Sequence, residues 1–147
     1  MTKKNEIIIA SDHAGFDLKG YIVKFFEKEN MFRDLGPFSD KSVHYPDYAI
    51  KLCKVIEKEK NKKGVLICGS GIGMSMVANR FGNIRAALCS NEKMAKLSRQ
   101  HNNANVLVLG SRLISNEEAI KCYLSFFKTK YEGGRHQARL DKFNPIE

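Results

Sequence analysis

The stretch Val65-Leu66-Ile67-Cys68-Gly69-Ser70-Gly71-Ile72-Gly73 joins a continuous apolar run to glycines on alternate positions. A short run of this kind reads as a buried strand, and the glycines read as a loop that opens into a helix. Such a junction turns backbone amides toward one spot, where the helix dipole adds its positive end, so it favours an anion. Cys68 ends the strand beside that cradle, and a thiol in such a field can act as a base or nucleophile. The blander alternatives are a tight strand-to-helix turn and a small buried hydrophobe. The spacing G-x-G-x-G puts Met74 where a dinucleotide fingerprint has its third glycine, and no Gly-Lys-Ser/Thr of a Walker A loop follows. A monophosphate or oxyanion nest fits better.

Outward from this junction, apolar runs alternate with helical stripes. Glu6–Ala10, Gly64–Cys68, Ile84–Leu88 and Asn105–Leu109 read as strands, with a weaker one at Met31–Asp34 stopped by Gly36-Pro37. Leu18, Tyr21, Ile22, Phe25 and Phe26 mark one helix face. Ala49, Leu52, Cys53 and Ile56 mark a second, whose first residue is Pro46. A short helix is expected over about 72–79 and another over about 92–100, and Ser115-Asn116-Glu117-Glu118 is a capping box for the last long one. This βαβ series predicts an α/β fold: a doubly wound, Rossmann- or flavodoxin-like five-stranded parallel sheet with helices on both faces and right-handed crossovers. Ligands of such sheets bind beyond the carboxyl ends of the strands. Ser11-Asp12-His13, Cys68–Gly73 and Gly110-Ser111-Arg112 follow strands one, three and five, so all three share that rim.

Residues 1–147 read as one domain, since no linker, repeat or low-complexity segment interrupts the series. The C-terminal arm, about 129–147, breaks at Gly133-Gly134 and resumes as a short helix with Arg135 and Arg139 on one face. It has few apolar anchors, so it is expected to pack poorly on its own domain and to dock on a second subunit.

Hydrophobic content of 43% and charged content of 28% are ordinary for a globular chain. No run approaches the roughly 20 apolar residues of a membrane helix, and Ile7-Ile8-Ile9 is too short for a signal peptide. A cytoplasmic protein with no membrane partner is expected. Cys53, Cys68, Cys89 and Cys122 make no C-x-x-C pair and no Cys/His pattern, so no metal is expected. Reduced thiols suit the cytoplasm, and Cys53, Cys89 and Cys122 fall in core patterns. The net charge of +9 lies partly in the solvated run Lys54–Lys63 and partly in Arg112, Arg135 and Arg139. Small anions explain the arginines as well as nucleic acid does. A basic nucleic-acid module would set arginines and aromatics in a stripe, whereas the aromatics here follow helix faces, so no nucleic acid is expected. A receiver-type magnesium site needs an acidic cluster, and strand one ends in the single Asp12.

Other side chains carry two readings each. Asp12 suits an N-cap or a grip on sugar hydroxyls. His13 suits an exposed turn or a phosphate contact. His101 suits a helix C-terminus, where the dipole favours it, or a proton donor that opens a sugar ring. Arg112, Arg135 and Arg139 are surface charges singly and a phosphate clamp together.

Ser11-Asp12-His13-Ala14-Gly15-Phe16, Ile67-Cys68-Gly69-Ser70-Gly71-Ile72-Gly73, Arg99-Gln100-His101-Asn102 and Tyr131-Glu132-Gly133-Gly134-Arg135-His136 fall in the order of the type B ribose-5-phosphate isomerases. The chain resembles that family from about Glu6 to Arg139. The resemblance implies reversible isomerisation of ribose 5-phosphate and ribulose 5-phosphate through a cis-enediolate, in the non-oxidative pentose phosphate pathway. It implies Cys68 as the enediol base. Some members use a glutamate further along the loop, but Gly73-Met74-Ser75 has no carboxylate. Ser70 and the loop through Gly69, Gly71, Ile72 and Gly73 would cradle the enediolate. His101 would open the ring with Asn102 beside it, and Asp12 and Tyr45 would meet substrate hydroxyls. His13, Arg112, Arg135 and Arg139 would grip the phosphate. The family implies no cofactor and no metal, and a homodimer or homotetramer whose sites are shared between subunits. Galactose 6-phosphate isomerase subunits share the architecture but typically lack part of this set, and another aldose 6-phosphate, allose or galactose 6-phosphate, is the alternative substrate.

Overall fold

The computed structural model describes residues 4–144, so the last three residues of the expected arm lie outside the described residues. The strands are β1 (Asn5–Ser11), β2 (Asn30–Asp34), β3 (Lys63–Cys68), β4 (Ala86–Leu88) and β5 (Val106–Gly110). The helices are α1 (Phe16–Phe26), α2 (Tyr45–Lys58), α3 (Ile72–Ala78), α4 (Glu92–Asn102), α5 (Asn116–Lys128) and α6 (Arg135–Leu140). All neighbouring strands pair in parallel, in the order β2-β1-β3-β5-β4.

The period of a strand divides its apolar residues between the two faces of the sheet. Ile7 and Ile9 of β1, Val65 and Ile67 of β3, and Leu107 and Leu109 of β5 pack with α1 and α5. Ile8 and Ala10, Leu66 and Cys68, and Val106 and Val108 pack with α2 and α3. Ile8, Ile9, Leu66, Ile67, Leu107 and Leu109 are fully buried, and each contributes about 1.5–3 kcal/mol of hydrophobic stabilisation. The side chain of Cys68 therefore faces the α2–α3 layer.

A flavodoxin-like order would set β4 beside β3; here β5 takes that place. Every residue of β5 is buried, while β4 is a half-buried edge strand of three residues. The fully buried strand takes the interior position and the half-buried one the edge. The expected strand Ile84–Leu88 is shortened because the Ile84 amide bonds the Phe81 carbonyl and the Arg85 amide bonds Asn105 Oδ1 (2.8 Å). Asn79 bonds both the amide and the carbonyl of Ala86 (2.8 and 2.9 Å), which covers this edge.

The capping box forms only one of its two bonds. Ser115 Oγ accepts the Glu118 amide (3.1 Å), but the Glu118 carboxylate accepts the Glu92 amide (3.0 Å) and ties α5 to the start of α4. The arm is fastened to its own domain at several points, correcting the expectation of poor packing. The Glu132 amide donates to the Gln100 carbonyl (3.1 Å), and His136 of α6 is buried.

Candidate active site

The chain leaves β1 for one edge of the sheet and returns to lay β3 on the other side of β1. This opens a crevice beyond the carboxyl ends of those two strands. At the end of β3 the Gly71 amide donates to Cys68 Sγ at 3.1 Å, fixing the direction of a sulfur whose residue is only 4% exposed. Gly71 has φ of 77°, in the left-handed region, and a Cβ there would lie 2.5 Å from Leu88 Cδ1. The Ile72 amide donates to Ser70 Oγ (3.2 Å). The expected cradle is thus altered, because the amides of Gly71 and Ile72 serve the thiol and the hydroxyl.

The loop after β5 clamps this turn. The Ser111 amide bonds the Cys68 carbonyl and the Arg112 amide bonds the Gly69 carbonyl, both at 2.9 Å. The Arg112 side chain lies over Gly69, its Nη1 3.0 Å from where a Cβ would stand. Across the turn, the phenol oxygen of Tyr45 lies 2.6 Å from the corresponding point on Gly73. After β1, buried Asp12 accepts the Gly15 amide on Oδ1 (3.0 Å). His13 Nδ1 accepts the Val43 amide (3.1 Å), which leaves Nε2 as the ring's donor nitrogen. The loop that brings Val43 and Tyr45 here is pinned by Lys19, whose Nζ donates to Asp34 Oδ1 (2.7 Å) and the Pro37 carbonyl (2.6 Å). The structure therefore gathers Asp12, His13, Tyr45, Cys68, Ser70 and Arg112 on one rim.

His101, Asn102, Arg135 and Arg139 do not join them. His101 stands at the end of α4, just before β5 begins. β5 starts with Val106 opposite Gly64 and reaches Gly110 opposite Cys68, four steps of roughly 3.3 Å each, so at least about 13 Å separates the two rims. Within one chain the thiol and this imidazole face opposite ends of the sheet. Arg99 holds the end of α4, donating to Asn103 Oδ1 (2.9 Å), the Ala104 carbonyl (2.5 Å) and the Thr129 carbonyl at the root of the arm (3.3 Å). Burial, and then neighbouring Arg85, pull the pKa of Arg99 below its ordinary value. Arg135 and Arg139 are exposed on α6. A cavity of about 870 Å³ also lies away from Cys68, between the arm and the β4–α4 edge, with Asn102, Gln137 and Leu140 in its wall.

Sequence reasoning gave no role to His136. Its ring stacks on His101, centroids 4.3 Å apart and planes 18° apart, and its Nε2 lies 3.5 Å from Glu132 Oε2. The i,i+4 spacing of Glu132 and His136 was visible in the sequence, but their packing on α4 was not. Ligand atoms of His101, Glu132 and His136 lie within 4.8 Å of one another. Imidazole lone pairs lie in the ring planes, so two stacked, nearly parallel rings do not converge on one ion in this arrangement.

The remaining cysteines behave as core residues. Burial pushes the thiols of Cys53 and Cys122 up to about 12 and that of Cys89 to about 11.

The profile of a family described as Ribose/Galactose Isomerase matches residues 7–143. A probable ribose-5-phosphate isomerase B of Mycoplasma pneumoniae is 44% identical, the match covering 100% of this chain and 98% of that protein. A ribose 5-phosphate isomerase structure from Thermotoga maritima superposes with a TM-score of 0.94 at 45% identity, covering 98% of this chain and 100% of that one. The structure of ribose-5-phosphate isomerase B from Mycoplasma genitalium, with bound ribulose-5-phosphate, has a TM-score of 0.90 at 44% identity, covering 96% and 95% of the two chains.

Proposed function

The chain belongs to the ribose/galactose isomerase family, and from that premise we propose that it interconverts ribose 5-phosphate and ribulose 5-phosphate. The observation that carries the reading is Cys68 Sγ held by the Gly71 amide at the end of β3, with Asp12, Tyr45 and Arg112 around it. His101 protonates the ring oxygen while the C1 hydroxyl gives up its proton, and the open aldehyde results. The Cys68 thiolate takes the C2 proton, and the electron pair moves onto O1 as an enediolate. Cys68 then returns the proton to C1 while the O2 hydroxyl passes its proton to O1, leaving the ketone at C2 and a hydroxyl at C1. Ser70 and the remaining loop amides oppose the charge that appears only on the way, which is where binding energy lowers a barrier. His13, Arg112, Arg135 and Arg139 hold the phosphate. A hydrogen shift within one substrate balances without a cofactor.

This chemistry needs a second copy of the chain. The thiol and the imidazole occupy opposite rims of one sheet, so the working unit is a homodimer or larger assembly in which His101 and the arm arginines of one protomer meet Cys68 of its partner. The cavity beside the arm and the exposed Ile72 and Met76 of α3, next to the glycine loop, supply surfaces for that contact. Four free, buried cysteines suit a reducing compartment, and we assign the chain to the cytoplasm and to non-oxidative pentose phosphate interconversion. Among the described residues, no helix is long and apolar enough to cross a membrane.

An assay with ribose 5-phosphate, allose 6-phosphate and galactose 6-phosphate tests the substrate, and the presence of both Cys68 and His101 favours the five-carbon sugar. Cys68→Ala is expected to lower turnover by about 10²–10⁴-fold while sugar phosphate still binds. Undiminished turnover removes Cys68 from its role.

A further inference from the structure

An acid that opens a sugar ring must aim one N–H at one oxygen, yet the terminal torsion of histidine is broad. Among the described residues no hydrogen bond holds the His101 ring. What meets it is the flat face of His136, 4.3 Å away between centroids and 18° from parallel. His136 is itself held firmly. It is 7% exposed, follows the positive-φ pair Gly133-Gly134, and has the Glu132 carboxylate 3.5 Å from Nε2. Glu132 is tied to α4 by its own amide, which bonds the Gln100 carbonyl one residue before His101. Arm and helix thus close a small loop of contacts around the acid. The His136 Nε2 atom is buried and has no hydrogen-bond partner, so the residue's firm contact with its surroundings is through the ring face.

We infer that His136 is a positioning residue: its ring is the surface that orients His101 for ring opening, and its burial between the arm and α4 keeps that surface in place. This rests on the assignment of His101 as the ring-opening acid. Ribose 5-phosphate exists mainly as a ring, whereas ribulose 5-phosphate is acyclic because its C5 oxygen carries the phosphate. Exchange of the ribulose 5-phosphate C1 hydrogen with solvent therefore needs the Cys68 base and no ring opening.

The test measures turnover of ribose 5-phosphate and, by NMR in D2O, C1 exchange of ribulose 5-phosphate. His136→Leu fills the buried space without a flat face and is expected to lower turnover about tenfold or more, with exchange within about twofold of the starting protein. His136→Phe restores the face and is expected to bring turnover back within about threefold. The inference is overturned by full turnover in His136→Leu, by a parallel fall of turnover and exchange, or by His136→Phe performing no better than His136→Leu. Absence of both turnover and exchange in the unsubstituted protein would instead defeat the proposed isomerase reading.

Discussion

The two rims of this sheet are built from different materials. Where the strands end, the candidate chemistry is framed by main chain: the Gly71 amide on sulfur, and the Cys68 and Gly69 carbonyls bonded from the β5 loop. Where the strands begin, the groups are side chains on a helix end and a six-residue helix of the arm, and Arg135 and Arg139 are exposed. Moving a hydrogen between adjacent carbons needs atoms fixed to fractions of an ångström, which a buried turn supplies. Gripping a phosphate needs charge and reach, which arginines on a short helix supply. On the proposed reading, the base is set within one protomer, and His101 with two of the phosphate-holding arginines comes from another.

The sharpest way to break this comparison is to mix Cys68→Ala with His101→Ala after subunit exchange. Each alone is expected to be nearly inactive. Random pairing leaves one intact composite site in half of the dimers, so activity should recover to about a quarter of that of the unsubstituted protein. No recovery would return both residues to a site within one chain.

Two glycines with positive φ offer a contrast between the rims. A Cβ on Gly71 would sit 2.5 Å from Leu88 Cδ1 and 3.1 Å from the Leu109 backbone, whereas on Gly133 it would meet only Tyr131 Cε2 at 4.0 Å. Gly71→Ala should lose turnover by about 10²-fold, as displaced catalytic groups do, and should also lower Tm. Gly133→Ala carries only the left-handed backbone cost of about 1–2 kcal/mol. Equal losses by thermal melts and assays would erase the distinction.

Arg135→Ala and Arg139→Ala should each raise KM by about 10-fold, the low end of the roughly 1.5–3 kcal/mol that a charge-assisted hydrogen bond is worth, and leave kcat largely intact. A fall in kcat with KM unchanged would move these arginines into the chemical step.

The smallest effect belongs to charges at the same rim but away from the arm. Arg33 donates to Glu59 at 2.5 and 3.0 Å and to Glu6 at 2.5 Å, and these hydrogen bonds hold both carboxyls below their usual 4.5. A depressed carboxyl stabilises the fold above its unfolded pKa, and that contribution disappears as pH falls through the folded value. Arg33→Met should therefore melt slightly lower at neutral pH, with the gap closing below pH 4.5 and in high salt, and KM should stay constant.

Much of the fold was legible because β1, β3 and β5 are continuous apolar runs between helical stripes. The strand order was not, since pairing depends on which strand is buried on both faces, and β4 is cut short by side-chain bonds from Asn105 and Asn79. The first rim could be read from positions following strands. The separation of His101 from Cys68 follows from the direction of α4, which returns the chain from the end of β4 to the start of β5. His136 was hidden because its partner lies 35 residues earlier and only packing joins them.

A cradle made of backbone is indifferent to most changes of side chain, so long as its glycines keep their shape. The arm has no such immunity, because its reach and charge lie in its side chains. On the proposed reading, substitutions in α6 therefore change how the phosphate is held rather than how the hydrogen moves.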